Sequence, residues 1–582
     1  MIVIHNSPVM PTFSELKKKL KQDFSHLESI RVALLGDTAT PFLAQALRGT
    51  GFDRGFNLRI WEADFNQIER QVVDHESELY TFDPQVIIIF HSSHKLLLHY
   101  NKQKPEDYAA LAGNRLELIS RLCTTIEGRL RSTIIYYNYT EINDTVFGNY
   151  ANKTEASFLF QLRKLNYELM QYAAGHPNFY LCDLSTVQNQ FGKLNMFHPS
   201  VYVNSDMVLS IDALPAVAAT TLDLVGAFVG RIRKCVVLDM DNTIWGGVIG
   251  DDGIENIQLG TLGIGKAFTE FQYWIKKLKY RGIILAVASK NTESVVLDAF
   301  DRHPDMVLTK EDIAIFRVNW DNKVDNIRQI QATLNIGFDS MVFLDDNPFE
   351  RNMVREAIPA ITVPELPEDP ADYLEYLYTL NLFETGAISD EDRERTKLYQ
   401  TQALRDSEME KYSNEDDFLA GMNMLSDVES FNSFNTPRVA QLSQRSNQFN
   451  LRTVRYTEAE IGKLAGSSDI FTFSFTLEDK YGDNGIICVV ILKKETDETL
   501  FIDSWLMSCR VLKRGMENFT LNTLVALAKE KGFRFLKGEY RQTAKNEMVS
   551  KHYPGLGFQP AGDFWTLDLD GYETRKTHIN LK

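Results

Sequence analysis

The sequence predicts a multidomain α/β protein with an α+β unit at its C-terminal end. Three observations lead there. The chain has 582 residues, 44% apolar and 24% charged, an ordinary globular composition with length for roughly three to five domains of about 100–200 residues. Short apolar runs that stop at Gly, Asp or Asn alternate with segments of helical period, the pattern of parallel sheets covered by helices. Nearer the C-terminus that pattern gives way to alternating strands joined by turn residues, then a helix and another strand.

The first stretch runs from about 28 to 225. SIRVALLGD, FDPQVIIIF and STIIYYN read as buried strands, with LAGNRLELISRLCTTIEGRL as a helix between them. Residues 1–27 read as an amphipathic helix packed outside. The second stretch starts at Arg231. KCVVLDMDNT, GIILAVASKN, DMVLTK and MVFLDDNP read as strands, and GKAFTEFQYWIKKLKYRG as a helix closed by Gly282. The acid- and proline-rich VPELPEDPADY closes it, followed by a helix or two. The third stretch begins near 400. DIFTFSFTLEDKYGDNGIICVVILKKE reads as a hairpin with a longer loop around Gly482 and Asp483-Asn484-Gly485. FIDSWLMSCRV and FRFLKGEY read as strands flanking the helix MENFTLNTLVALAKEKG. The expected domains are 1–228, 229–395 and 396–582.

Composition excludes several functions. There are 62 basic and 79 acidic residues, a formal charge of -17, so the global basic footprint of a nucleic-acid binder is absent. Cys123, Cys182, Cys235, Cys488 and Cys509 are scattered. No CxxC or Cys/His cluster reads as a zinc site, and such thiols suit a reducing compartment. At the N-terminus the charges follow the apolar run, the wrong order for a signal peptide. The most apolar stretch, 207–230, contains Asp212, Pro215 and Asp223, so it reads as a core or linker helix and not as a membrane span. The expected location is the cytoplasm.

The chemistry concentrates in VVLDMDNTIWGG. Asp239 and Asp241 stand two apart where a strand ends, and two neighbouring carboxylates repel unless a cation or a proton holds them. Thr243 follows, Ser289 ends a second apolar strand beside Lys290 and Asn291, Lys323 comes later in NWDNK, and a third strand ends in Asp345-Asp346. Asp-x-Asp-x-Thr, Ser, Lys and Asp-Asp in that order resemble the four-part signature of the haloacid dehalogenase superfamily. The resemblance implies a Rossmann-like phosphatase domain. Asp239 would be the nucleophile that forms an aspartyl-phosphate. Asp241 would be the general acid and base. Ser289 and Lys323 would neutralise phosphoryl oxygens, with Thr243, Lys290 and Asn291 beside the substrate. Mg2+ would take oxygens from Asp239, the backbone carbonyl of Asp241, and Asp345, with Asp346 in support. Asp239 and Ser289 are 50 residues apart, and Ser289 and Lys323 are 34 apart. That spacing leaves no room for a large lid, so the site is expected to be capless.

The match narrows. CVVLDMDNTIWGGVIGDDG, ILAVASKN, FRVNWDNK, VFLDDNPFERNMVRE, QLSQRSNQFNLRTVRYT and LMSCRVLKRGMEN resemble FkbH-like proteins, over the whole chain in three-domain form. Members of this kind resemble enzymes that take a glyceryl group from 1,3-bisphosphoglycerate and pass it to an acyl carrier protein. The C-terminal domain resembles Gcn5-related N-acetyltransferases (GNAT-like). Arg510 to Gly515 would be the loop that holds a pantetheine or coenzyme A phosphate, although Lys513 replaces its first glycine. From Arg510 to Lys545 nine basic residues face three acidic ones, which reads equally as a docking face for an acidic carrier or as solvated surface. Cys509 reads as a buried thiol or as an acyl-holding one, Cys235 as core, and Tyr553 as core or a proton donor. The N-terminal domain resembles the SGNH hydrolases. Thr38 stands in place of their serine, Asn138 matches an oxyanion position, Asp183 lacks its His, and His198 lies too far on. It reads as a non-hydrolytic scaffold.

The expected function is Mg-dependent phosphoryl chemistry on a phosphorylated small molecule, coupled to acyl transfer to a carrier, with neither nucleic acid nor membrane as partner. The alternatives are a phosphatase of a small metabolite with scaffold domains, and an assembly protein that only docks a carrier.

Overall fold

In the computed structural model the N-terminal alternation forms a five-stranded parallel sheet. Its strands are β1 (Glu28–Gly36), β2 (Phe56–Glu62), β3 (Val86–Phe90), β4 (Thr133–Tyr137) and β5 (Phe179–Cys182), in the order β2-β1-β3-β4-β5. The structure describes residues 10–582 except 389–391, 393, 410–411, 413, 509–510, 513 and 544. It divides into two units, the first ending at Gly226 and the second running from Ala227 to Lys582. β3 is buried at every position, as a strand covered by helices on both faces must be. The helix expected over 1–27 falls partly outside the described residues; from Met10 on, it is Phe13–Lys19, closed at its start by a Thr12–Glu15 capping box. Further on, Asp23 accepts from the Ser25 N–H at 2.8 Å, a local turn that competes with helix. The apolar stretch 207–230 holds the helix Leu214–Phe228. No helix among the described residues is long and apolar enough to cross a membrane.

The second unit holds two sheets. One is four-stranded and parallel: β6 (Cys235–Leu238), β7 (Ile284–Ser289), β8 (Ile315–Val318) and β9 (Met341–Leu344), in the order β8-β7-β6-β9. β6, the central strand, pairs with both β7 and β9 and is wholly buried. DMVLTK, expected as a strand, is not one. The N–H groups of Val307 and Leu308 donate to the buried Gln272 side chain at 2.9 and 3.1 Å, which satisfies them without a ladder. The strand comes later, at β8.

The other sheet has nine strands: β10 (Met424–Ser426), β11 (Val428–Glu429), β12 (Ile470–Asp479), β13 (Gly482–Lys494), β14 (Thr499–Met507), β15 (Phe535–Gly538), β16 (Gln559–Ala561), β17 (Phe564–Asp568) and β18 (Ile579–Leu581). The hairpin β12–β13 turns over Lys480 and Tyr481, while Asp483-Asn484-Gly485 lies inside β13, opposite two register shifts. The glycine therefore marks an irregular ladder rather than a loop. β15 runs parallel to β14 only over Thr499–Ile502. Beyond that point residues 449–451 fill the gap. The Leu451 N–H donates to the Trp505 carbonyl at 3.3 Å, the Met507 N–H to that of Phe449 at 3.0 Å, and the Arg541 N–H to that of Leu451 at 2.9 Å.

At the end of β15 a Cβ on Gly538 would lie 2.2 Å from the Tyr553 ring. That ring is 1% exposed and belongs to the core of this sheet, so Tyr553 is core. Gly538→Ala is expected to destabilise this unit by about 1–3 kcal/mol, read as a lower midpoint in denaturant melts.

Candidate active site

β6, β7 and β9 run parallel and in register, so their carboxyl ends lie side by side. Asp239 follows β6, Ser289 ends β7, and Asp345-Asp346 follow β9. Lys323 is the first residue of the helix Lys323–Leu334, whose N-cap is Asn322. Its ammonium reaches back over the sheet edge, 2.9 Å from Asp239 Oδ2 and 2.5 Å from Asp345 Oδ2. Asp239, Lys323 and Asp345 are 6%, 3% and 0% exposed, so these charges meet in a largely dry place.

Their electrostatics follow from that burial. Burial first, and then repulsion from Asp239, push the Asp345 carboxyl up to about 7 and that of Asp346 up to about 6. Burial opposes the charge on Lys323, but Asp239 and Asp345 outweigh it and hold the ammonium above its ordinary range. One ammonium faces three carboxylates whose oxygens lie within 4.8 Å of one another. A hard divalent cation with oxygen ligands would relieve that excess. The donor set therefore fits magnesium, which Asp239, Asp345 and Asp346 would hold.

The Asp241 side chain stands apart from this group. Its Oδ1 accepts from the Trp245 indole at 2.9 Å and the Ile249 N–H at 3.0 Å, and its Oδ2 accepts from Asn291 Nδ2 at 2.9 Å. Burial raises its carboxyl above the usual range, against the pull of the Ile249 and Trp245 hydrogen bonds.

The other residues expected near a substrate mostly face their neighbours. Asn291 orients Asp241. Lys290 pairs with Glu350 at 2.5 Å. Thr243 is fully buried and its hydroxyl accepts from the Asp346 N–H at 3.1 Å, tying the loop after β6 to the loop after β9. The Ser289 carbonyl accepts from the Asn319 N–H at 3.2 Å, which fixes the strand end near the segment leading to Lys323. Two positioning residues were not singled out in the sequence. Trp245 holds Asp241, and Arg351 donates to the carbonyls of Asp345 and Asp346 at 2.8 and 2.6 Å. Their signals were the spacing of four from Asp241 and a buried arginine one helical turn beyond the Asn347 cap. Between β6 and β7 the described chain forms a bridge of Gly246 with Gln258, the short helix Ile249–Asp252 and the helix Gly263–Tyr280, with no separate lid domain.

Elsewhere the expected residues do not converge. In the first unit Thr38 is fully buried. Asn138 donates to Asp183 at 2.7 Å, and His198 is exposed beside Ser200 at 3.0 Å. In the second unit Arg510, Lys513 and Cys509 lie outside the described residues. Gly515 adopts φ +77° at the start of the helix Met516–Glu530. Cys235 is buried in the sheet core. Four of the cations between 510 and 545 pair with acids from outside that stretch. Arg514 is buried against Asp479 at 3.1 Å, Arg534 meets Asp568 at 3.2 Å, Lys537 meets Glu495 at 2.7 Å, and Lys545 meets Asp339.

A parallel sheet that gathers an aspartate, a bridging lysine and an acidic pair at its carboxyl ends has the arrangement of the phosphoryl-transfer class of the haloacid dehalogenases. Comparisons with known proteins narrow the class. A family model described as "FkbH, N-terminal domain" matches residues 31–226. The crystal structure of the N-terminal part of the protein BF1531 from Bacteroides fragilis, which contains a phosphatase domain and is complexed with Mg, matches at 57% identity and a TM-score of 0.62. It covers 65% of this chain and 100% of that one. This chain belongs to the FkbH family. The ribosomal-protein-S18-alanine N-acetyltransferase from Escherichia coli matches 25% of this chain and 94% of its own at 16% identity, with a TM-score of 0.20. That likeness is too slight to assign the C-terminal sheet to a fold family. No curated protein matches.

Proposed function

We propose that this protein is a magnesium-dependent phosphatase or phosphotransferase that works through an aspartyl-phosphate on Asp239. The observation that carries this reading is the buried Asp239–Lys323–Asp345 bridge, with Asp346 beside it, at the carboxyl ends of β6 and β9. Magnesium, when bound, would offset the negative charge of these carboxylates and of the substrate phosphate. An Asp239 oxygen attacks phosphorus, the bond to the leaving oxygen breaks, and that oxygen takes a proton from Asp241. Water then attacks the same phosphorus, gives its proton to Asp241, and frees Asp239 and inorganic phosphate. Lys323 balances the charge on the transferring group. Ser289 stands at the strand end where a phosphoryl oxygen would lie.

This assignment sets an expectation for Asp241→Asn. With an alkyl phosphate, whose leaving oxygen needs a proton, the single-turnover rate of leaving-group release should fall by about 10²–10⁴-fold. With an acyl or nitrophenyl phosphate, whose leaving group departs as an anion, that first step should slow much less, although hydrolysis of the aspartyl-phosphate slows with both. Equal losses in leaving-group release on both substrates would remove Asp241 from the acid role.

The family resemblance extends the reading to an acyl, glyceryl-type transfer from 1,3-bisphosphoglycerate to a carrier protein, in a reducing, cytoplasmic setting. One observation favours the plainer alternative, a metabolite phosphatase. A carrier arm with two amides pairs best with an open strand edge, and residues 449–451 already occupy the edge of β14. The deciding measurement is phosphate release with magnesium from 1,3-bisphosphoglycerate and from a panel of sugar and acyl phosphates, with and without an acyl carrier protein. Release confined to 1,3-bisphosphoglycerate, with mass gained by the carrier, supports acyl transfer. Release across the panel, with no mass gain, supports the phosphatase.

A further inference from the structure

Three strands lead into the phosphoryl centre, and the chain leaving each of them carries an apolar side chain open to solvent. Val248 comes after β6 and is 40% exposed, Trp320 after β8 and is 75% exposed, and Phe349 after β9 and is 69% exposed. Apolar residues scattered singly over a surface need no explanation. These three are not scattered, because hydrogen bonds fasten the backbone at each of them to the phosphoryl site.

Val248 stands beside the acid. The N–H of Ile249, the next residue, donates to Asp241 Oδ1 at 3.0 Å, and the N–H of Val248 itself donates to Asp252 Oδ2 at 2.8 Å. Phe349 is tied to the acidic pair. Its N–H donates to Asn347 Oδ1 at 2.9 Å, and the Asn347 N–H donates to Asp345 Oδ1 at 2.8 Å. Trp320 sits in the turn that leads to Lys323. Before it, the Asn319 N–H donates to the Ser289 carbonyl at 3.2 Å, and the Asn319 and buried Asn326 side chains bond each other at 3.1 and 2.9 Å. After it, the Asp321 N–H donates to Asn319 Oδ1 at 3.0 Å, and Asn322 Oδ1 accepts from the Asp325 N–H at 2.9 Å. The backbone is thus held at all three places while the side chains stay bare. A ligand that covers them has little chain to order.

The two halves of a phosphate ester meet different surroundings here. The phosphoryl group takes the charged centre of Asp239, Lys323 and Asp345. The leaving group brings its oxygen to Asp241, next to Val248. Ligand sites combine a few placed polar groups with apolar walls, and aromatic side chains supply large contact area. A short polar leaving group would leave Trp320 and Phe349 uncovered.

We propose that Val248, Trp320 and Phe349 are specificity residues, and that the leaving group of the substrate has an apolar or aromatic body. The inference rests on the phosphoryl reading of Asp239 and adds the class of substrate.

The test titrates the full chain, with magnesium, by calorimetry. The probes are benzylphosphonate and methylphosphonate, which carry no ester oxygen to release. They share the phosphoryl-type group and differ in the body attached to it. Benzylphosphonate is expected to bind about tenfold tighter or more. Trp320→Ala and Phe349→Ala should each reduce that ratio several-fold, and the double variant should bring it close to one. Both side chains are mainly exposed, so the variants should melt as the wild type does. If the double variant lacks a cooperative melt, the single variants decide. Equal affinity for both phosphonates in the wild type overturns the proposal and leaves the phosphoryl reading standing. So does a preference for benzylphosphonate that every variant retains, because the apolar body would then rest elsewhere. If neither phosphonate binds, the phosphoryl reading fails and the proposal falls with it.

Discussion

Asp239→Asn is expected to abolish phosphate release, by on the order of 10⁴-fold or more, as removal of a covalent nucleophile does. An amide keeps the shape of the side chain and loses the charged oxygen that attacks phosphorus. The fold should survive. Lys323 keeps Asp345 as a partner at 2.5 Å, and one of three crowded negative charges is gone. The melting temperature without metal should therefore stay level or rise. Loss of release with an unchanged melt is the expected pair of results. Activity retained above about one-hundredth of wild type would take the nucleophile role away from Asp239.

The second large effect is that of magnesium. Chelation should stop turnover, and magnesium should stabilise the second unit, because Asp239, Asp345 and Asp346 are drawn together against their own repulsion. At a hundredfold excess over its dissociation constant a ligand contributes about 2.7 kcal/mol, which is about 3–4 °C in melting temperature for a unit that spans Ala227–Lys582. Asp345→Asn should lose most of that shift. A melt indifferent to magnesium in the wild type would mean that the carboxylates do not bind it.

Much of this was legible in the sequence, for a physical reason. A strand buried on both faces is a continuous apolar run, so VVL, LAVAS and MVFL announce β6, β7 and β9, and the residue that ends each run must stand at one sheet edge. Asp239, Ser289 and Asp345 could be placed that way, and Lys323 by its place in the order of the superfamily signature. The misses share another cause. DMVLTK looked like a strand because nothing local reveals that Gln272, some 35 residues away, takes its N–H groups. The partners of Thr243, Lys290 and Asn291, which adjoin the strand ends, were equally hidden: their side chains reach Asp346, Glu350 and Asp241, contacts 50 or more residues distant in sequence. The cations after residue 510 seemed in excess because charge was counted along the chain, whereas Asp479, Asp568, Glu495 and Asp339 cancel much of it in space.

The wedge of residues 449–451 between β14 and the chain after β15 also bears on how the protein tolerates shortening. These residues close a margin of β14 that β15 leaves open. A fragment beginning after Leu451 would keep β12 to β17 yet present bare amides and carbonyls along that margin, beside fully buried apolar residues such as Trp505 and Leu506. Such a seam recruits strands from other molecules. A fragment cut there should express as aggregate, while one that begins ahead of β10 and so retains β10, β11, the helix Thr436–Arg445 and the wedge should stay dispersed.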